Sequence, residues 1–501
     1  MELNSESLRF ILGIKVKQYR QEKGLSLKEL SAATSLSISY LSEIEKGKKY
    51  PKPEKIILLA QGLDKTFDDM VSLHIEDGDN PITALLNSPV FNEFPLHQFG
   101  ITLTDVFDLV TNTPSKAGAF IRTLLEIGRN YDMQVEHFLL ASLRSYQKMH
   151  MNYFKDIEEE TRKFRMEFDA QLKEDISNPS LEAILSSTFQ VKVEYKNLSK
   201  EPELGSLRSI WIKGEPDKLI INERLQPVQR LFILAKEVGY RVLKLEKRPT
   251  TSSWMQVESF DHVYNNFKSS YFAGALLLPE DQMVADLKIF FTNKDWDTNR
   301  FTDLLTSYNT TPEMFLHRLS QLLPHHFGMQ RMHYLRLQND RNSEQYQITK
   351  ELNTTNIFVP RGIGGSEHHC RRWVSVNLLK DLKEQQKSGD NPGLIISTQR
   401  SHFMGSDKEF FNIAIARPLT LSDGVNSGMT LGFQLDKRLK NEIVFWNDTS
   451  IPKMHVNESC ERCSLEDCES RVAPPLQLIE KERHRQKINS LDDYIESNKE
   501  P

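Results

Sequence analysis

The sequence predicts a multi-domain protein, mainly α with α+β parts: an all-α N-terminal bundle, a helical linker, an α+β middle domain and an α+β, cysteine-bearing C-terminal domain. Three observations predict it. The 501 residues are several times a typical domain of roughly 100–200 residues, so several cores are expected. Apolar residues recur at helical spacing over the first 63 residues and in short alternating segments between 189 and 222. Of the four cysteines, three stand close together near the C-terminal end. The expected boundaries are 1–70, 71–176, 177–330 and 331–501.

Composition is that of a globular chain, 39% hydrophobic and 27% charged. No apolar run approaches the roughly 18–20 residues that cross a bilayer, so no membrane is expected. The N-terminal MELNSESLRF lacks the basic and apolar regions of a signal peptide, which makes the cytoplasm the expected location. Four cysteines are too few for a disulfide scaffold in so long a chain. Charge is uneven: residues 1–63 carry +4 and the rest −9, within an overall −5. A basic head on an acidic body suits a polyanion-binding module joined to something else.

Within the head, IKVKQYRQEKGLSLKELSAATSLSISYLSEIEKGKKYPKPEKIILLAQGLD predicts a helix ending near Gly24. A second runs from about Ser26 to Ala33, a third from about Ser37 to Lys46, and a fourth follows Pro53. Ser26 with Glu29 forms a capping box, and Ser37 can cap the third helix. Two short helices joined by a tight turn make a helix-turn-helix. Docked in a major groove, such a unit presents the N-terminal part of its second helix to base edges. Ser37, Ser39, Tyr40, Ser42 and Glu43 are the candidate base contacts on double-stranded DNA, and Lys46, Lys48 and Lys49 the candidate phosphate contacts. The alternative is that Tyr40 and Glu43 only pack or cap within the bundle. The segment resembles the lambda-repressor/Cro-type (XRE) helix-turn-helix family, through Ala32 or Ala33 and through Ser37, Leu41, Ser42, Ile44, Glu45 and Gly47. Operators of such domains are commonly two-fold, so a homodimer is expected.

After Asp64 a Pro-, Asn- and Asp-rich stretch, IEDGDNPITALLNSPVFNEFP, reads as a linker. Helical patterns follow at ITLTDVFDLV and KAGAFIRTLLEIGRNY, then one long helix from roughly Gln134 to Phe168 that either bridges domains, pairs in a dimer or covers a core. FQVKVEYKNL, LRSIWIKG and DKLIIN predict a small sheet. Helices around RLFILAKEVGYRVLKL, SSYFAGALLLPEDQM and YNTTPEMFLHRLSQLLP come next. This order is similar to the ImmA/IrrE family of metallopeptidase-like domains, which implies a zincin-like middle domain. The likeness is carried by Phe232, Leu234, Ala235, Glu237 and Gly239, by Phe272, Ala273, Leu276, Leu277 and Pro279, and by Pro312, Glu313, Arg318 and Leu319.

A zinc peptidase of this kind needs two histidines at i and i+4 on one helix face, a third ligand, and a Glu that activates water. Here Lys236 and Tyr240 hold the histidine positions, and YNNFKSS offers no carboxylate for the third. Glu237, the would-be base, remains; it is expected to pair with Lys236 or Arg241, or to line a ligand pocket. No enzymatic activity is expected.

In the last third, MHYLRLQ, LIISTQR, FFNIAIARPL and NEIVFW read as strand-like segments and WVSVNLLKDLKEQQ as a helix. Cys460, Cys463 and Cys468 form C-x2-C-x4-C, and Cys370 lies upstream in the loop PRGIGGSEHHCRRW. Four thiolates suit a zinc ion or an iron–sulfur cluster, with His368 or His369 able to replace one. A metal-free redox pair and inert cysteines are the other readings. The pattern C-x2-C-x4-C-x2-R-x-x-P-P, with Cys370 followed by Trp373, resembles the short-chain fatty acyl-CoA regulator (RamB-like) family. That resemblance implies a transcriptional regulator sensing metabolic state, with an acyl-CoA-like small-molecule effector. The GIGG of residues 362–365 is too short to count as a phosphate cradle. Two rivals remain: a metallopeptidase-type anti-repressor, and a phage- or toxin-antitoxin-type regulator whose middle domain binds a protein.

Overall fold

The computed structural model describes residues 5–72, 96–101, 135–172, 176–251, 259–355, 357, 359, 367–390 and 393–498. The linker stretch 75–95, the helical patterns at 102–110 and 116–131, and Gly362 to Gly365 lie outside the described residues. The chain divides into two compact units, Met1–Tyr146 and Gln147–Pro501. The architecture is multi-domain and mainly α with α+β, beginning with an all-α bundle.

In the first unit α1 (Ser5–Glu22), α2 (Leu27–Thr34), α3 (Ile38–Glu45), α4 (Pro53–Gly62) and α5 (Phe67–Val71) enclose one small core. Leu12, Val16, Leu30, Leu41, Ile44 and Leu59 meet there. The helix starts follow from local chemistry. Glu29 N–H donates to Ser26 Oγ at 3.2 Å while Ser26 N–H donates to the Glu29 carboxylate at 2.7 Å, the expected capping box. Ser37 Oγ accepts from Tyr40 N–H at 3.2 Å. Between them Ser35 takes a left-handed conformation, φ 54°.

The stretch around the boundary of the two units corrects the sequence expectation. The long helix predicted from Gln134 to Phe168 is two helices, α6 (Val135–Met149) and α7 (Lys155–Glu167). Met151 and Asn152 both have positive φ. Asn152 is buried, and its amide accepts from Gln147 Nε2 at 3.0 Å and donates to Ser320 Oγ at 3.1 Å. Periodicity continues across the break, so the sequence hides it.

Next come α8 (Asn178–Ser187) and the predicted small sheet: β1 (Val191–Lys196), β2 (Ser209–Ile212) and β3 (Asp217–Asn222), in the order β1-β3-β2 with β1 parallel and β2 antiparallel to β3. The quoted helix is α9 (Pro227–Val242), lying along α10 (Phe260–Leu277). A Cβ at Gly239 would sit 3.0 Å from a Phe272 ring carbon and from the Ser269 carbonyl oxygen, so glycine permits this approach. Then follow α11 (Glu280–Phe291), α12 (Thr298–Thr306) and α13 (Pro312–His326).

The C-terminal sheet is larger than the sequence reading. It holds β4 (Met332–Asp340), β5 (Gln347–Asn353), β6 (Ile395–Phe403), β7 (Glu409–Pro418), β8 (Val425–Gln434) and β9 (Lys453–Val456), in the order β5-β4-β8-β7-β6-β9. β8 escaped prediction because it is buried on both faces and carries Gly428 and Gly432 in place of alternating side chains. A Cβ at Gly428 would lie 2.9 Å from Leu379 of α14 (Val374–Lys387), the helix packed on one face of the sheet. NEIVFW is not a strand. Asp436 caps α15 (Lys437–Glu442) by accepting from Leu439 N–H at 3.0 Å, and a 3₁₀ turn then buries Phe445 against Phe290, Trp296 and Phe411. α16 (Leu476–Ser497) closes the described chain with no residue buried.

A buried ion pair ties these layers together. Arg318 on α13 donates to both oxygens of Glu158 on α7, at 2.5 and 2.9 Å, and to the Leu278 carbonyl at 3.0 Å. Glu158→Ala leaves that guanidinium uncompensated, and we expect a loss of about 3–5 kcal/mol in denaturant unfolding of the full chain.

Candidate functional site

Three places bear on function, and each is described within its own unit. On α3, Ser37 and Ser39 are exposed, while Tyr40, Ser42 and Glu43 are half-buried. Lys46, Lys48 and Lys49 are exposed immediately after the helix. Glu45, the last residue of α3, is buried and accepts from Arg20 Nε at 2.6 Å and a second guanidinium nitrogen at 2.9 Å. The glutamate of the motif is therefore an anchor of α3 on α1.

Two candidates also have intramolecular duties. The Tyr40 ring packs partly on the core and lies under Lys55 and Lys49, with ammonium-to-centroid distances of 4.2 and 5.1 Å. Glu43 pairs with Lys49 at 3.4 Å, an exposed contact of small energetic weight. The sequence reading missed Ile38, which is 47% exposed at the first turn of α3, and Lys55. Helical spacing alone does not tell Ile38 from a core residue.

In the middle of the second unit Lys236 and Tyr240 stand one turn apart on α9 and share a partner. Lys236 Nζ donates to Asn266 Oδ1 on α10 at 2.5 Å, and the Tyr240 hydroxyl reaches the same oxygen at 3.2 Å. An ammonium and an amide thus fill the place where two imidazoles and a third ligand would meet. Burial, reinforced by the Arg248, Lys350 and Arg208 charges, pushes the Lys236 amine down to about 7. Burial also pushes the Tyr240 hydroxyl up to about 12.

Glu237 meets one of its two expected partners: it pairs with Arg241 and not with Lys236. Arg241 donates to it at 2.9 Å, and Arg248 donates to both its oxygens at 2.9 and 2.6 Å. Arg248 itself lies over the Tyr240 ring at 3.8 Å and the Trp211 ring at 4.5 Å. Both oxygens of Glu237 are thus engaged by guanidinium donors. Asn266 lies in the YNNFKSS segment where a third ligand is sought, but its amide is not foreseen as a partner of Lys236; Arg248, 12 positions from Lys236, has no local pattern to link it.

The cysteine region gathers most of its predicted members. Cys370, Cys460 and Cys463 are buried and free, and Cys468 is half-buried. Cys370 N–H donates to the Glu458 carbonyl at 3.3 Å and Cys460 N–H to the His368 carbonyl at 2.9 Å, which sews the upstream loop to the C-terminal one. Arg471 braces the turn, donating to the carbonyls of Cys460 at 3.0 Å and Cys463 at 3.2 Å. Burial pushes the Cys370 thiol up, and Cys463 and Cys460 nearby push it the same way.

The histidines have other work. His368 Nδ1 is 2.7 Å from Glu461, and His369 stacks on Trp373 with ring centroids 5.3 Å apart. Among the described residues no three His, Cys, Asp or Glu side chains stand together as a ligand set.

Comparison with known proteins agrees with the geometry in two segments. Residues 16–70 match the family model described as helix-turn-helix, and residues 187–320 match the IrrE N-terminal-like domain. The chain carries both domains. A 71-residue segment, 14% of the chain, is 35% identical to the HTH-type transcriptional regulator DdrOP3 of Deinococcus deserti and covers 55% of that protein. The chain thus spans about half the length of this relative. A solved Mycobacterium tuberculosis transcriptional regulator is 17% identical, with a TM-score of 0.45 over 66% of this chain and 92% of that one.

Lys236 gives a signed pH effect. Its folded value near 7 lies below the unfolded value of about 10.4. The unfolded chain therefore holds more protons across that window, and this lysine's contribution to stability rises with pH from about 7 to about 10. Lys236→Met should be the more stable protein at pH 6.5 in denaturant titrations. Its advantage should shrink by up to about 1.4 kcal/mol per pH unit above 7.

Proposed function

We propose that this protein is a sequence-specific DNA-binding regulator of transcription whose second unit responds to a signal and does not cleave a substrate. The observation that carries the reading is α3 itself. Its N-terminal turn exposes Ser37, Ile38 and Ser39 beside Tyr40, three exposed lysines follow it, and the Arg20–Glu45 pair fixes it on α1. Such a helix can enter a major groove with short side chains at base edges and ammonium groups at phosphates. The similarity of residues 16–70 to helix-turn-helix domains, and of 71 residues to a transcriptional regulator, supports this.

The absence of peptidase chemistry is equally a proposal. It is supported by Lys236 and Tyr240 in the ligand positions and by Glu237 clamped between Arg241 and Arg248. The C-terminal cysteine pattern supports a regulator of metabolic genes with an acyl-CoA-like effector, acting as a homodimer on a two-fold operator. A zinc ion or iron–sulfur cluster on Cys370, Cys460, Cys463 and Cys468 would be seen as metal that co-purifies anaerobically and is lost in Cys460→Ser.

The DNA reading is tested by selecting bound duplexes from a random pool and titrating the selected site at several salt concentrations. Tyr40→Ala should lower the ratio of specific to non-specific affinity. Lys48→Ala should weaken binding to all sequences and reduce the salt slope by about one. Unchanged affinity and specificity in a Tyr40→Ala, Lys46→Ala double variant would overturn the assignment.

A further inference from the structure

The face of the C-terminal sheet turned away from α14 carries a charge imbalance that the DNA-binding reading does not use. Leu335 and Leu337 of β4, and Ala414 and Ala416 of β7, pack with Leu379 and its neighbours on α14. Side chains alternate along a strand, so Tyr334, Arg336 and Arg417 belong to the opposite face. Lys350 of β5 lies directly across from Arg336, and Ser427 of β8 directly across from Arg417. α13 packs on this face, with the His317 ring 4.8 Å from the Tyr334 ring.

The charges there do not balance. Glu313 of α13 is 3.1 Å from Lys350 Nζ and 3.6 Å from Arg336 Nη1, while Arg336 Nε donates to Ser427 Oγ at 3.1 Å. Arg208, on the segment leading into β2, acts electrostatically on Glu313, on Arg417 and on Lys236. Arg336 and Lys350 thus share the Glu313 carboxylate, and among the described residues Arg417 makes no ion pair. The Arg417 guanidinium and the Tyr334 hydroxyl, 8% and 1% exposed, each keep a buried polar atom (Nε and OH) with no hydrogen-bond partner among the described residues. Burial alone would raise the Glu313 carboxyl, yet Arg336, Lys350 and Arg208 hold it well below the usual carboxylate range. Burial likewise makes the Arg417 charge costly. Uncompensated buried cations and unmade hydrogen bonds call for an acceptor-rich anion.

We infer that this face is a binding site for a small molecule bearing a compact dianionic group, phosphate or dicarboxylate, held by Arg336, Arg417, Lys350 and the Tyr334 hydroxyl. One negative charge would not balance the surplus, and a compact group can engage both the sheet arginines and Arg208. Because Arg208 comes from the β1–β3 layer and the other groups from β4, β5 and β7, the ligand would tie two layers of the second unit together. This rests on the effector-responding regulator proposed above, and it supplies the chemical class of the effector.

The experiment is calorimetric titration of the full chain with inorganic pyrophosphate and with malonate at low ionic strength, using sodium chloride as control. At least one probe should bind saturably, and Arg417→Gln should weaken it tenfold or more. Tyr334→Phe should weaken it several-fold. Lys350→Ala, whose side chain is 45% exposed, gives a variant that folding defects do not confound, and it too should weaken binding. Preference for pyrophosphate would identify a phosphate source, and preference for malonate a carboxylate one. Binding of neither probe, or equal affinities in wild type, Arg417→Gln and Lys350→Ala, overturns the inference. Selection of a DNA site is measured in parallel on wild type. A selected site without anion binding sinks only this inference, whereas anion binding without a selected site sinks only the regulator reading.

Discussion

Arg318 is the constraint on which the second unit is built. Its guanidinium is fully buried, and its partners come from three helices: Glu158 on α7, the Leu278 carbonyl just past α10, and Gln321 on its own helix α13. The Tyr271 hydroxyl of α10 donates to the same Glu158 oxygen at 2.7 Å. A buried guanidinium is tolerated only where its donors are met, so the three helices are held to one mutual arrangement. That arrangement fixes α10, and with it Asn266 opposite Lys236. It also fixes α13, and with it Glu313 and His317 over the sheet.

The second unit also places a different set of side chains on a helix pair where a zinc peptidase would hold its ligands. Gly239 still lets α9 approach α10, and Glu237 still lies on the inner face of α9. What differs is the charge carrier. An ammonium on Lys236, covalently part of the chain, occupies the position whose counterpart in a zinc peptidase would bind an exchangeable ion. A tethered cation needs no second imidazole, and Tyr240 is free to stack under Arg248. That stack supports the Arg248 clamp on Glu237. Lys236 and Tyr240 share Asn266, while Arg248, stacked on Tyr240, donates to both oxygens of Glu237.

In the first unit the division of labour is simpler. Glu45 and Arg20 secure α3 from within, so the outward residues of its first turn carry little structural duty. Ser37 is the exception, since it caps the helix it opens. Tyr40 is partly committed as well, its ring serving as a platform for Lys55 and Lys49.

Much of this was legible in the sequence because the causes are local. Capping at Ser26 and Ser37, the small three-stranded sheet, the helix around Glu237 and the loss of both histidines at Lys236 and Tyr240 are set by spacings of four residues or fewer, or by simple alternation. The break at Asn152 was not legible, because its amide is satisfied by Ser320, 168 positions away. β8 was hidden for a related reason, since Gly428 makes sense only against Leu379, and Gly432 only against Asn412 and His333. Asn266 and Arg248, and the grouping of Arg208, Arg336, Lys350 and Arg417 around Glu313, were decided by tertiary structure alone. Charges far apart in sequence are indifferent to one another until burial removes the water that screens them.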